Sequence, residues 1–434
     1  MAHRLSTVDP DFEDRFAEII SVRRDQDEAV DDTVGRIIRD VRREGDKALV
    51  RLTREFDRFE LTADALRVGA ADIARACARV PARTLDALDL AARRIETFHA
   101  RQLPQDDRYT DDSGVELGAR WRPVEAVGLY VPGGRAAYPS SVLMNTLPAI
   151  VAGVTRLVMV VPTPGGELNP LVMAAADRVG VHEIYRIGGA QAVAALAYGT
   201  ESIAPVDKIV GPGNAYVASA KRQVFGQVGI DLIAGPSEIL VVADRGNDPE
   251  WTAVDLLSQA EHDPLAQAIL LTDDRDYALA VEAAVESWLD KLPRAEIARA
   301  SWLDFGVVIV VRDFDEAPRL IDRLAPEHLE LGVADPETIA SRVHNAGAIF
   351  MGYHTPEAIG DYVAGPNHVL PTSRAARFAS GLGVLDFMKR TSVVRCLPRG
   401  LRKIGPAAVI LAEAEGLGAH AESVRVRLDA SDGE

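Results

Sequence analysis

Three short segments of this chain contain residue types suited to acid–base and metal chemistry. They are Gln259-Ala-Glu-His262, Pro326-Glu327-His328 and Asp361-Tyr-Val-Ala-Gly-Pro-Asn-His368. A histidine of ordinary pKa can remove a hydroxyl proton near neutral pH, and a glutamate can activate water. Imidazole nitrogen and carboxylate oxygen are also common ligands of Zn²⁺. The three segments together predict a metal-dependent enzyme that acts on a small substrate.

The metal-capable residues differ in how strongly they indicate a ligand. Gln259 and His262 are three residues apart near the expected end of a helix, so both side chains project from one face. Glutamine is an unusual metal ligand, whereas Asp361 follows Gly360 in a loop that can bring a carboxylate to a cation. His368 and His420 are further candidates, although a single histidine is more often a hydrogen-bonded structural group.

Glu327 and His328 form a candidate acid–base pair with an open structural alternative. Adjacent residues do not face each other on a helix, but at a loop or a helix start both can reach one pocket. The alternative is an ordinary helix start, where the helix dipole favours a glutamate in the first turn. The two residues alone do not decide between these interpretations.

Strands that alternate with helices must position these residues. Apolar runs at 124–131, 157–161, 183–187 and 208–210 each end in a glycine-containing turn, which predicts a parallel α/β unit over 121–238. Its turns Gly188-Gly-Ala-Gln191 and Gly211-Pro-Gly-Asn214 either bring backbone N–H groups to a phosphate or simply reverse the chain. No Gly-x-Gly-x-x-Gly follows the first strand. In such sheets the ligand crevice is expected at the carboxyl ends of the strands.

Three further regions complete the predicted organisation. A second α/β unit spans 239–380 and carries the metal-capable and acid–base residues. Residues 1–120 are predicted to form a helical region that packs with this second unit. Residues 381–434 are too few to bury a core alone, so we expect them to pack on another domain or a partner subunit.

Composition excludes several classes of protein. The chain has 434 residues and a net charge of −17, which argues against nucleic acid or an anionic membrane as the main partner. Two cysteines are too few for a disulfide framework or a cysteine-rich zinc site. No segment has the apolar length of a membrane span, and residues 1–16 have no signal-like apolar core. We therefore expect a cytoplasmic protein.

Taken jointly, the motifs from Val124 to His420 resemble the histidinol dehydrogenase family. The segments that carry the resemblance are Leu129-Tyr-Val-Pro-Gly-Gly134, Gly188-Gly-Ala-Gln191, Gly211-Pro-Gly-Asn214, Ala234-Gly-Pro-Ser-Glu238, Leu257-Ser-Gln-Ala-Glu-His262, Pro326-Glu-His328, Gly360-Asp-Tyr362, Asn367-His-Val-Leu-Pro-Thr372 and Glu415-Gly-Leu-Gly-Ala-His420. The resemblance implies two doubly wound, incomplete Rossmann-like domains, N-terminal helices, a small C-terminal segment and homodimers with shared active sites.

The resemblance also implies a role for each matching residue. The implied ligands of one zinc ion per subunit are Gln259, His262, Asp361 and His420. Glu327 matches the residue that activates water, and His328 matches the general base. The implied NAD⁺ contacts are Tyr130, Gln191 and Asn214. The implied substrate contacts are Ser237, His368 and Glu415, together with His328 and the zinc ligands.

The implied reaction is a four-electron oxidation of L-histidinol to L-histidine with two NAD⁺, through a bound aldehyde. Two alternatives remain at this level. One is a related zinc- and NAD-dependent dehydrogenase of another polar alcohol, such as a sulfonated diol. The other is a zinc hydrolase that uses Glu327 and a metal-bound water, which the predicted NAD⁺ contacts disfavour.

Overall fold

A computed structural model describes residues 2–21, 28–133 and 138–431 of the chain. Gly134, the last residue of the predicted turn after the first strand, therefore lies outside the described residues. Within the described ranges no helix is both long and apolar enough to cross a bilayer.

The N-terminal region contains three strands as well as helices. Its elements are β1 (His3–Ser6), α1 (Phe12–Ser21), α2 (Glu28–Glu44), α3 (Asp46–Asp57), α4 (Ala70–Cys77), α5 (Ala82–Ala100), β2 (Asp107–Thr110) and β3 (Val115–Pro123). The expectation of a helical region over 1–120 is therefore wrong at β1, β2 and β3. The four-residue strand β1 pairs in parallel with residues 307–310 of the second unit, with His3 opposite Val307.

The first α/β unit is built around a five-stranded parallel sheet. Its elements are β4 (Ala126–Tyr130), α6 (Pro139–Ala152), β5 (Arg156–Val160), α7 (Pro170–Arg178), β6 (Glu183–Tyr185), α8 (Gly189–Tyr198), β7 (Lys208–Val210), α9 (Ala215–Val224) and β8 (Gly229–Ile230). The strand order is β6-β5-β4-β7-β8. The chain therefore changes direction across the sheet between β4 and β7, which is where ligands bind in open α/β folds.

The second α/β unit has a six-stranded parallel sheet. Its elements are β9 (Glu238–Ala243), α10 (Pro249–Ala260), β10 (Gln267–Thr272), α11 (Arg275–Leu289), α12 (Ala295–Phe305), β11 (Val307–Val310), α13 (Ala317–Leu324), β12 (His328–Gly332), α14 (Pro336–Ala340), β13 (Ala348–Met351) and α15 (Glu357–Tyr362). The strand order is β1-β11-β10-β9-β12-β13. Strand β9 is buried along its whole length, because helices cover both faces. The predicted class of two parallel α/β units is confirmed.

The C-terminal region consists of one strand and a helical hairpin, β14 (Met388–Cys396), α16 (Pro398–Ala414) and α17 (Gly418–Ser431). Strand β14 pairs antiparallel with β3, and β2 completes a three-stranded sheet that composition and periodicity did not indicate. The two helices pack mainly on each other and leave Ile410, Leu411 and Val426 more than half exposed.

The predicted packing of residues 1–120 on the second unit is wrong for most of that region. The apolar stripe of α2, which includes Val34 and Ile38, shares a core with α8 and α9 of the first unit. Leu88 and Ile95 of α5 share a core with α6 and α7. Among the described residues before 121, only Ala2, β1 and α1 contribute buried residues to the cores of the second sheet. Hydrophobic periodicity identifies a buried face but not the surface that covers it.

Candidate active site

The candidate site lies at the amino ends of β9 and β12 in the second sheet. Glu238 is the first residue of β9, and His328 is the first residue of β12. The end of α10 brings Gln259 and His262 to the same edge, and α15 brings Glu357 and Asp361. The expectation that the carboxyl ends of the strands form this crevice is therefore wrong for the second unit.

Glu327 and His328 stand at a strand start. Helix α13 ends at Leu324, and Ala325 adopts a left-handed conformation with φ of 46° that turns the chain into β12. The helix-start interpretation is therefore wrong. Both side chains nevertheless contact one backbone unit, because Glu238 N–H donates to Glu327 Oε2 at 3.0 Å and His328 Nδ1 lies 2.9 Å from the Glu238 carbonyl oxygen.

His328 is arranged as a neutral base. A carbonyl oxygen only accepts hydrogen bonds, so the proton of the neutral ring lies on Nδ1 and the lone pair lies on Nε2. Nε2 is buried and has no hydrogen-bond partner in the described part of the chain. Burial lowers the pKa of His328 to about 4, against the opposing influence of nearby Asp361. The imidazole is therefore uncharged at neutral pH and can accept a proton at Nε2.

Several carboxyl groups surround this histidine. Burial raises the pKa of Glu327 well above its usual range, and Glu238, Asp361 and Glu357 raise it further. Burial also raises the pKa of Glu357 to about 9, with Asp361 as the next cause. Glu357 Oε1 lies 3.5 Å from His328 Nε2. Such a concentration of buried carboxyl groups favours protonation or a bound cation.

Three of the four predicted zinc ligands converge at this edge. Gln259 Nε2 lies 3.1 Å from His262 Nδ1, and the buried Gln259 Oε1 has no hydrogen-bond partner among the described residues. Asp361 belongs to a group with His328 and Glu357, in which one ligand atom from each residue lies within 4.8 Å of the others. His262 is exposed and Asp361 is partly buried, so Gln259 Oε1 is the one predicted ligand atom that is buried without a described partner. The nitrogen and oxygen atoms of this set are of the types that zinc takes.

His420 is not brought to this group within one chain. It lies exposed on α17, whose contacts are mainly with α16. Glu415 is likewise exposed, at the end of α16. The structure thus leaves both predicted C-terminal site residues on the surface of the chain.

The other predicted substrate contacts border the metal-capable group. His368 Nδ1 lies 3.0 Å from the Asp361 carbonyl oxygen, and its Nε2 lies 3.3 Å from Ser141 Oγ on α6 of the first unit. Ser237 immediately precedes Glu238, and its carbonyl oxygen accepts a hydrogen bond from Gln267 N–H. The candidate site therefore lies where α6 of the first unit meets the amino edge of the second sheet.

Glu357 is a site residue that the sequence reasoning missed. It precedes Asp361 by four residues on α15, so the two carboxyl groups share one helix face. That spacing was a usable signal, but an acidic pair on a short helix is also common on exposed surfaces. Only the tertiary fold shows that Glu357 is buried against His328.

The predicted NAD⁺ contacts lie at the carboxyl edge of the first sheet. Tyr130 ends β4, and its hydroxyl oxygen accepts a hydrogen bond from Gly189 N–H at 3.0 Å. Burial raises the pKa of Tyr130 to about 12, so the phenol stays neutral. Gln191 is buried in the first turn of α8, and exposed Asn214 caps α9 by accepting from Tyr216 and Val217 N–H.

Comparisons with known proteins identify the family. The model of the histidinol dehydrogenase family matches residues 21–428. The histidinol dehydrogenase of Rhizobium meliloti is 62% identical over 99% of both chains, and that of Nitrobacter winogradskyi is 63% identical over 99% of this chain and 100% of the relative. The crystal structure of the enzyme from Elizabethkingia anophelis matches with a TM-score of 0.94, 36% identity and 99% coverage of each chain. The chain therefore belongs to the histidinol dehydrogenase family.

Proposed function

We propose that this protein oxidises L-histidinol to L-histidine with two NAD⁺, through L-histidinaldehyde held in the site. The observation that carries the proposal is the pairing of His328 and Glu327 on the backbone of Glu238, beside a metal-capable group that includes the buried Gln259 Oε1, which has no hydrogen-bond partner among the described residues. This arrangement has a neutral base, a carboxyl group and a metal-capable group in one site, as an alcohol and aldehyde oxidation requires.

The metal would be held by Gln259, His262 and Asp361, with His420 of a second subunit as the fourth ligand. A bound Zn²⁺ would supply a Lewis acid that orients the nitrogen atoms of the substrate. The exposed position of His420 on α17, which packs mainly on α16, supports a role across a dimer interface. The exposed apolar residues of α16 and α17 support the same interface.

The dinucleotide would lie along the carboxyl edge of the first sheet, in contact with Tyr130, Gln191 and Asn214. Bound NAD⁺ would supply the hydride acceptor for each oxidation. The neutral Tyr130 hydroxyl and the first turn of α8 offer polar groups without a negative charge. This edge also contains the point between β4 and β7 where the sheet changes direction.

The chain's own residues account for the proton transfers. His328 Nε2 accepts the hydroxyl proton as the alcohol becomes an aldehyde. Glu327 accepts a proton from the water that adds to the aldehyde carbon, because a raised pKa makes its carboxylate the stronger base. Overall, one alcohol, one water and two NAD⁺ give one carboxylate, two NADH and three protons.

Substrate specificity would depend on Ser237, His368 and Glu415 in addition to the zinc ligands. Ser237 immediately precedes β9, His368 contacts Ser141 of α6, and Glu415 would come from the partner subunit with His420. Enclosure of the aldehyde by both subunits would protect it from amines in solution.

The direct test is turnover by the purified protein. L-histidinol and NAD⁺ should yield NADH and L-histidine, and removal of zinc by a chelator should abolish the reaction until zinc is restored. A protein that oxidises a sulfonated diol but not L-histidinol would contradict the proposed substrate while leaving a dehydrogenase of this fold.

A further inference from the structure

A buried ion pair lies directly behind the predicted NAD⁺ edge. Lys221 on α9 pairs with Asp231, which follows β8, and their side chains are only 3% and 2% exposed. Neither residue belongs to the proton-transfer or metal groups. A buried ion pair is not required for stability, because its desolvation offsets much of its attraction. Its position therefore calls for a more specific explanation.

The ion pair forms hydrogen bonds with both backbone polar groups of Gly211. Lys221 Nζ donates to the Gly211 carbonyl oxygen at 3.0 Å, and Gly211 N–H donates to Asp231 Oδ2 at 2.7 Å. Gly211 is the first residue after β7 and is itself buried. Without the pair, a buried carbonyl and a buried N–H would lack partners, which carries a large free-energy cost.

The turn at Gly211 packs closely against Tyr130. Gly211 has a φ of 115°, and a Cβ at this position would lie 2.1 Å from the Tyr130 carbonyl oxygen. Three residues later Asn214 caps α9, the helix that carries Lys221. The ion pair thus joins the last turn of α9 to the turn after β7, which packs on the end of β4 and leads into the cap of α9. The end of β4 and the cap of α9 carry predicted dinucleotide contacts.

We propose that Lys221 and Asp231 are positioning residues for NAD⁺ binding, which set the distance between Tyr130 and Asn214 through Gly211. This inference rests on the proposed function of the first sheet. It assigns the pair no contact with the dinucleotide and no part in proton transfer. Loss of the pair should therefore affect NAD⁺ affinity and leave the chemistry of the second sheet unchanged.

The test uses Asp231→Asn and Lys221→Met in the full-length zinc-loaded enzyme. Asp231→Asn keeps an oxygen acceptor of the same shape and removes the charge, so it is the milder variant. Each should raise the Kd and KM for NAD⁺ by about tenfold, the effect of one lost buried hydrogen bond. The kcat at saturating NAD⁺, the KM for L-histidinol and the zinc content should stay within about twofold of wild type.

A matched control lies at the opposite edge of the same sheet. Arg156 and Glu183, at the amino ends of β5 and β6, form a bidentate ion pair. Arg156 Nη2 donates to Glu183 Oε1 at 2.8 Å, and Arg156 Nε donates to Glu183 Oε2 at 3.1 Å. Glu183→Gln should leave the NAD⁺ affinity unchanged. Unchanged NAD⁺ affinity in both pair variants, or an equal loss in Glu183→Gln, would overturn the inference while leaving the proposed function intact. Wild-type protein that binds no NAD⁺ by titration calorimetry would instead refute the proposed function and the inference with it.

The apolar double variant Lys221→Met/Asp231→Leu leaves the Gly211 carbonyl and N–H without their partners. It should therefore lose at least as much NAD⁺ affinity as either single variant. Wild-type NAD⁺ affinity in the folded double variant would show that the pair does not position the turn and would overturn the inference.

Discussion

At the scale of single residues, the site depends on how one backbone unit orients two side chains. Glu238 donates its N–H to Glu327 and offers its carbonyl oxygen to His328 Nδ1. The family resemblance implied that Glu327 and His328 act in one site, whereas the two residues alone left an ordinary helix start as an alternative. The sequence could not predict the orienting contact, because Glu238 is 89 residues away in the chain and is brought close only by the pairing of β9 with β12.

Because His328 and Glu327 are assigned to different steps, their alanine variants should slow different steps of the reaction. His328→Ala should slow the oxidation of L-histidinol by about a hundredfold to ten-thousandfold, because a general base is lost. Glu327→Ala should mainly slow the oxidation of added L-histidinaldehyde. Stopped-flow measurement of NADH with each substrate distinguishes the two. A Glu327→Ala enzyme with a normal aldehyde step would contradict the assignment.

The buried Glu330 should make the free energy of unfolding depend on pH. Burial raises its pKa well above the usual range, and Asp255 raises it further. The pKa of Glu330 in the folded state exceeds the unfolded value of about 4.3. Its contribution to the free energy of unfolding is therefore fully present below that pH, and it is lost as the pH rises towards the folded-state pKa. Glu330→Gln should therefore stabilise the metal-free protein at pH 7 by on the order of 1 kcal/mol.

The measurement is urea unfolding of the metal-free protein at pH 5 and pH 8, with exposed Glu60→Gln as the control. Glu330→Gln should lose less stability than wild type between the two pH values, whereas Glu60→Gln should follow wild type. A Glu330→Gln protein that is less stable than wild type at pH 8 would show that the ionised carboxylate is favoured in the fold.

At the scale of elements, the sequence located most strands and helices but not their neighbours. The predicted run at 208–210 coincides with β7, and the runs at 157–161 and 183–187 overlap β5 and β6. Strand β1 was missed because a four-residue edge strand has too few apolar residues for a recognisable pattern. The packing of α2 and α5 was wrong because an apolar stripe does not specify its partner.

Close packing of α15 on β13 predicts that a single methyl group displaces a proposed ligand. A Cβ at Gly360 would lie 2.5 Å from the ring of Phe350, so Gly360→Ala should push α15 and Asp361 away from the sheet. We expect zinc affinity to fall by about 10-fold to 100-fold, as for other changes in the support of metal ligands. Competition with a zinc chelator measures this affinity.

The control is Gly69→Ala, where the new Cβ would meet only Asp72 at an ordinary distance of 3.6 Å. Its zinc affinity should equal that of wild type. Wild-type zinc affinity in Gly360→Ala would show that α15 does not set the position of Asp361.

At the scale of the whole molecule, the proposed site requires two copies of the chain. One chain brings Gln259, His262 and Asp361 together but leaves His420 exposed on α17. Co-expression of His262→Ala and His420→Ala chains should therefore restore activity, although each variant alone is inactive. Random pairing makes half of the dimers hybrid, each with one intact site, so about a quarter of wild-type activity is expected.

The same experiment distinguishes sharing from an internal role. If His420 served its own chain, every site in a hybrid dimer would lack one ligand and activity would not return. Tagging the two variants differently and purifying the hybrid dimer gives the fraction of active sites directly.

The central claim is that one enzyme carries out both oxidations, and the ratio of products tests it most directly. NADH is measured by absorbance and L-histidine by amino-acid analysis after complete turnover of limiting L-histidinol. We predict two NADH for each L-histidine formed, with no free aldehyde captured by an added amine reagent. One NADH for each L-histidinol consumed, with the aldehyde released to solution, would contradict the account.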